Sequence, residues 1–135
     1  MSLERFVEAQ DRVYDRVCDE LRSGEKRTHW MWFIFPQIAG LGHSEMARRY
    51  AIASLEEAQA YLAHPLLGLR LRECVGILNG LKRRAIWKVM GYPDDLKLRS
   101  SLTLFARATS DNQVFLDALK KFYGSEMDPE TLKRL

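Results

Sequence analysis

Several absences bound what this chain of 135 residues can be. It has only two cysteines, Cys18 and Cys74, and they are not spaced as a metal-ligand pair or a disulfide framework. Both fall on apolar helix faces, so they read as reduced core residues of a cytoplasmic protein. No apolar run approaches the roughly 18–20 residues a membrane span needs, so no membrane partner is expected. The N-terminus turns amphipathic at once and does not read as a signal peptide. The three histidines, His29, His43 and His64, have no partner at helical ligand spacing such as His-Glu-x-x-His, so no metal is expected. Gly40-Leu41-Gly42 lacks the preceding strand and following lysine of a phosphate-binding loop. The polar stretch 97–103 does not have Ser-x-x-Lys nucleophile spacing, because Lys97 precedes Ser100. No internal repeat, low-complexity tract or linker divides the chain, and no cofactor is called for. Residues 1–135 are expected to form one domain.

Charge of one sign is also scarce. Twenty-one Lys and Arg are interleaved with eighteen Asp and Glu, for a net charge of +3. A nucleic-acid binder usually concentrates its charge along one face. The alternation here fits solvated helix faces better. The local clusters Arg48-Arg49, Lys82-Arg83-Arg84 and Lys120-Lys121 keep open an alternative reading, a nucleic-acid or protein interaction module.

What the chain does have is an aromatic run, His29-Trp30-Met31-Trp32-Phe33-Ile34-Phe35-Pro36-Gln37. Two of the three tryptophans and two of the six phenylalanines lie within it. Such a segment must enter a core or line a pocket. Its length fits a strand or two helical turns. Only Ile34 is β-branched, and no second strand-like segment is there to satisfy its backbone, so a short buried helix is expected.

Around it the spacing predicts helices throughout. Phe6, Val7, Val13, Tyr14, Val17, Cys18 and Leu21 recur at three and four residues and predict one long first helix over 3–22. Ser44 caps a short helix to about 51. Ser54-Leu55-Glu56-Glu57 is a capping box that opens the next helix, which ends at His64. Pro65 suits the first turn of a helix running to about 81. Further helices are expected over 85–90, from the opening Tyr92-Pro93-Asp94-Asp95 to the turn 109–112, and over 113–123, and Asp128-Pro129 caps a final turn through 135. The fold class is all-α: a compact irregular array of seven to nine helices and no sheet.

Four stretches resemble one family: Thr28-His29-Trp30-Met31-Trp32-Phe33-Ile34-Phe35-Pro36-Gln37, Gly40-Leu41-Gly42-His43-Ser44, Tyr61-Leu62-Ala63-His64-Pro65 with Leu67-Gly68, and Lys97-Leu98-Arg99-Ser100-Ser101-Leu102-Thr103-Leu104-Phe105. They are similar to the bacterial family called domain of unknown function 1810. The likeness covers nearly the whole chain and implies a multihelical all-α architecture without implying any chemistry. Some members carry the label calpastatin. An unfolded inhibitor does not fit a chain this rich in buried aromatics.

The residues flanking the aromatic run are the candidates for chemistry. His29 is a packed structural histidine or a general acid or base. Trp30 and Trp32 cannot face the same way; both can be core, or one can line a cleft and stack on a ring. Gln37 can cap backbone or address a ligand. His43 and Ser44 begin a helix whose Arg48 and Arg49 follow a turn later. That is an ordinary cap or an anion site. The mid-helix stretch Lys97, Arg99, Ser100, Ser101 and Thr103 signals close packing first and a polar site second. The leading expectation is a cleft that binds an anionic, nucleotide-like small molecule, walled by His29, Trp30 or Trp32, Gln37, His43, Ser44 and Arg48 or Arg49. Were it an enzyme, His29 or Glu8 would serve hydrolysis or glycosidic cleavage, with Glu8 reaching the cleft only if the first helix packs there. The oligomeric state is not legible.

Overall fold

The computed structural model describes residues 2–82 and 85–135, and these fold as ten helices with no strand among them. In order they are α1 (Glu4–Asp11), α2 (Tyr14–Ser23), α3 (Met31–Ile34), α4 (Glu45–Arg49), α5 (Leu55–Ala63), α6 (Leu67–Asn79), α7 (Ile86–Met90), α8 (Asp94–Ala108), α9 (Gln113–Tyr123) and α10 (Pro129–Lys133). None of them is long and apolar enough to cross a membrane.

The all-α expectation holds, but the count of seven to nine is too low. The extra helix comes from the predicted 3–22 helix, which breaks in two. Val13 leaves helical geometry at φ −134° and ψ −3°, and its N–H closes a tight turn onto Gln10 O at 3.0 Å. The break lets two faces point to different neighbours. Phe6 and Gln10 on α1 turn toward α3 and α5, where the Gln10 amide donates to Phe33 O at 2.8 Å and Tyr61 Oη at 3.0 Å. Val17, Cys18 and Leu21 on α2 are buried, and α2 packs on α6. No glycine or proline marks the break, and the apolar period runs straight through it.

The longest helix, α8, is the centre of the packing. It touches α5, α7, α9 and α10, and buries Leu98, Leu102, Leu104 and Phe105. A chain of rings crosses the core. Phe6 meets Tyr61 edge-on at 5.2 Å, Tyr61 meets Phe105 at 5.2 Å, and Phe105 meets Phe115 at 6.2 Å. Such pairs add about 1 kcal/mol each beyond area burial.

The helix starts follow the capping signals closely. Ser54 Oγ accepts from Glu57 N at 3.1 Å. Glu57 reaches back one residue further than a standard box, accepting from Ala53 N at 2.9 Å. α6 begins at Leu67, two residues after the Pro65 expected in its first turn, and His64 holds its entry: the His64 Nδ1 accepts from Leu66 N and Leu67 N at 3.1 and 3.2 Å. Gly68 lies where α6 crosses the end of α5, and a Cβ there would stand 2.1 Å from Leu62 O.

In the polar stretch on α8, Ser100 and Thr103 serve packing. Ser100 Oγ donates to Asp128 Oδ2 at 2.8 Å, and Asp128 N donates to Thr103 Oγ1 at 3.0 Å. Asp128 in turn caps α10, accepting from Thr131 N and Thr131 Oγ1. Burial raises the pKa of this carboxyl, but the hydroxyls of Thr131 and Ser100 and the nearby Arg99 outweigh it and hold the group ionised.

Candidate functional site

The aromatic run forms α3, a single buried turn, and its entry is fixed by one carboxylate. Glu20 on α2 is only 5% exposed. Its Oε1 accepts from Arg27 N at 2.7 Å, Thr28 N at 3.0 Å and Trp30 Nε1 at 3.0 Å. Its Oε2 accepts from Thr28 Oγ1 at 2.7 Å. Burial by itself would raise the Glu20 pKa, but these four donors outweigh it and hold it at about 2. Residues 27–30 are therefore clamped to α2, and α3 starts from a fixed point.

This clamp settles how the two tryptophans divide. Trp30 is 1% exposed, with Lys26 Nζ 5.0 Å from its ring and Phe35 packed at 6.1 Å. Trp32, two residues on, turns the other way and is half-buried. After Pro36 the chain pairs with the segment following α4. Ile52 N donates to Gln37 O at 2.9 Å and Ala39 N donates to Ile52 O at 2.8 Å, forming a single parallel bridge.

Between these pieces lies an open cleft with a cavity volume of about 140 Å³. Trp32 and Gln37 stand on one side with Met31 and Phe35, Arg48 comes from α4, and Lys97 comes from α8. The floor is continuous with buried Ile38 and Tyr50. The loop 40–42 forms part of the wall and needs glycine twice. Gly40 has φ +99°, and a Cβ on it would come 2.8 Å from Arg134 Nε; a Cβ on Gly42 would come 2.6 Å from Ala47 Cβ. The Arg134 guanidinium, whose Nη2 is 3.5 Å from Gly40 O, therefore stands against the back of this loop.

Of the expected residues, Trp32, Gln37 and Arg48 are brought together in the cleft. The others stand elsewhere. Trp30 is core. His29 is exposed and does not line the cleft. Ser44 is the N-cap of α4, with its Oγ accepting from Ala47 N at 3.1 Å, and both it and His43 face solvent. Arg49 and Glu8 meet in a separate polar groove with Arg5, Arg12 and Tyr50. The first helix thus reaches that groove and not the cleft. Tyr50 belongs to both hollows, and α4 sends Arg48 to one and Arg49 to the other. Lys82 is exposed. Arg83 and Arg84 of the same basic cluster lie outside the described residues.

Sequence reasoning missed Lys97 and Arg134 as neighbours of the cleft. Lys97 was visible in the polar stretch of α8, but its neighbours Ser100 and Thr103 serve packing and drew the whole stretch to that reading. Its Nζ is only loosely held, 3.9 Å from Asp94 Oδ1. Arg134 reaches Gly40 across nearly the full chain, a contact that no local pattern announces.

The family model described as Protein of unknown function (DUF1810) matches residues 1–135. No curated protein matches the chain. Among solved structures, the chain is similar to a conserved hypothetical protein from Mycobacterium tuberculosis, with a TM-score of 0.97 and 59% identity. The match covers 98% of this chain and 95% of that one.

Proposed function

Since the chain belongs to the family Protein of unknown function (DUF1810), whose name carries no chemistry, we propose from the cleft itself that it binds a small anionic molecule bearing a flat ring. A nucleotide or a nucleotide-like phosphate ester has the right character. The observation that carries this reading is the meeting of Trp32, Gln37, Arg48 and Lys97 in one hollow. An indole face stacks on a ring, a carboxamide can both donate to and accept from its edge, and two cations from different helices can hold a phosphate. The wall is mainly apolar with few polar groups, as small-molecule sites are.

The cations support the same reading. Arg48 is exposed and enters no ion pair among those found between described residues. Lys97 shares Asp94 with Lys26, whose Nζ is closer at 3.0 Å. An incoming anion therefore displaces little to engage either group. Rim charges of this type add modest affinity each and make binding fall with salt.

The test is a thermal-shift and calorimetric screen with AMP, ADP, ADP-ribose and sugar phosphates, read beside Trp fluorescence. A binder should quench Trp32. Lys97→Gln and Arg48→Gln should each weaken binding by about tenfold, equal to about 1.4 kcal/mol. Trp32→Ala should abolish the quench. A panel that gives no shift at millimolar concentration, or a binder indifferent to all three substitutions, would remove the proposal.

A further inference from the structure

A second group of reactive side chains lies away from the cleft, where α2 packs on α6. Tyr14 and Cys18 are one turn apart on α2, and Glu73 and Cys74 are neighbours on α6. The Tyr14 hydroxyl donates to Glu73 Oε1. Cys18 Sγ lies 3.9 Å from that same carboxylate oxygen, and Cys74 Sγ lies 3.9 Å from Tyr14 Oη. The two sulfurs are thus gathered around one hydrogen-bonded pair, one from each helix. Both cysteines are free, at 4% and 1% exposure.

The neighbours make the two sulfurs unequal. Interaction with the Cys74 thiol is the largest influence on Cys18 and lowers its pKa; burial opposes this and the Tyr14 hydroxyl assists it. The same interaction, joined by burial, raises Cys74. One sulfur is thereby drawn toward thiolate while the other keeps its proton, which is the division of labour between an attacking and a resolving thiol.

We propose that Cys18 and Cys74 form a reversible disulfide joining α2 to α6 when the protein meets a hydroperoxide. In the first step the proton of Cys18 passes to Glu73, and the Cys18 sulfur attacks one peroxide oxygen. The O–O bond breaks, hydroxide leaves and takes the proton from Glu73 to become water, and Cys18 becomes a sulfenic acid. In the second step the Cys74 sulfur attacks Cys18 Sγ, and the hydroxyl leaves with the Cys74 proton as a second water. Two thiols are oxidised by two electrons, and one peroxide is reduced to two waters. Burial selects a small oxidant. Glu73 is exposed, so a peroxide-sized molecule reaching it from solvent stands beside Cys18, whereas glutathione disulfide could not reach either sulfur.

The experiment uses the whole wild-type chain. It is treated with hydrogen peroxide, quenched, denatured and alkylated with iodoacetamide, then weighed and mapped. The expected result is a monomer lighter by two hydrogens, with neither cysteine alkylated, a Cys18–Cys74 cross-linked peptide, and full recovery on adding dithiothreitol. In Cys74→Ser the reaction should halt at the first step, with Cys18 captured as a sulfenic acid by dimedone. Two alkylated thiols under a peroxide dose that fully oxidises free glutathione would overturn the proposal. So would sulfinic or sulfonic acids without a cross-link, or a disulfide between two chains.

Discussion

Replacing Glu20 by Gln should cost the protein about 3 kcal/mol at neutral pH, and that cost should disappear in acid. The side chain is 5% exposed and accepts four hydrogen bonds, three of them at Oε1 from Arg27 N, Thr28 N and Trp30 Nε1. A glutamine can keep its carbonyl oxygen in that position. Its amide nitrogen then faces Thr28 Oγ1, which can turn its hydroxyl and accept. Shape is retained and only the charge is lost. The carboxyl is held at about 2 against an ordinary 4.5. At roughly 1.4 kcal/mol per tenfold change in proton affinity, this makes the ionised form worth about 3 kcal/mol to the folded state. Because the folded pKa is depressed, the contribution is complete above pH 4.5 and is lost as pH falls toward 2. Urea unfolding of both proteins, followed by Trp fluorescence at pH 7, 5, 4 and 3, measures it. Comparing the two proteins cancels the other carboxylates, which titrate alike in both. With a urea slope of about 2 kcal/mol/M the midpoints should differ by about 1.5 M at pH 7 and draw together steadily below pH 4.5. A difference that stays constant with pH, or one below about 0.3 M at pH 7, would refute the account of how residues 27–30 are held.

Other expectations follow from particular contacts. Gly68→Ala should destabilise by about 2 kcal/mol or more, because the new Cβ meets the Leu62 carbonyl, which is backbone and cannot step aside; the urea midpoint reads it. Ser100→Ala should cost about 1–2 kcal/mol by leaving Asp128 short of a donor, whereas Ser101→Ala, which removes a buried hydroxyl with no hydrogen-bond partner among the described residues, should be near neutral or stabilising. The two tryptophans should separate cleanly. Trp30→Phe should lose about 1–3 kcal/mol, from a vacated volume and a lost bond to Glu20, while Trp32→Phe should change stability by less than about 1 kcal/mol and act on ligand binding instead.

The helical class was legible because local signals agreed with one another. Ser44, Ser54 and Asp128 each cap the helix that their position announces, and each accepts the expected backbone N–H. These signals act over three or four residues, so a sequence carries them openly. The split between α1 and α2 was not legible for the opposite reason. Gln10 is buried because it can reach Phe33 and Tyr61, far along the chain, and the turn at Val13 exists to let it do so. A polar residue among apolar ones was the only trace, and it resembles an ordinary surface position.

The candidate site divides along the same line. The alternation of the aromatic run required that Trp30 and Trp32 part company; which one would be core depended on Glu20, ten residues upstream, whose carboxylate claims the Trp30 indole. Proximity in sequence proved a poor guide to membership of the cleft. His29, His43 and Ser44 are near neighbours of its wall yet face solvent, while Lys97 arrives from a helix far along the chain. A short helix explains this. In five residues α4 points side chains in every direction, so that Arg48 serves the cleft and Arg49 a groove on the other side of Tyr50. Neutralising the two arginines one at a time is therefore the sharpest single comparison: if the cleft is the binding site, Arg48→Gln weakens a bound nucleotide and Arg49→Gln leaves it untouched, and equal losses would mean that the basic pair acts as a general surface charge.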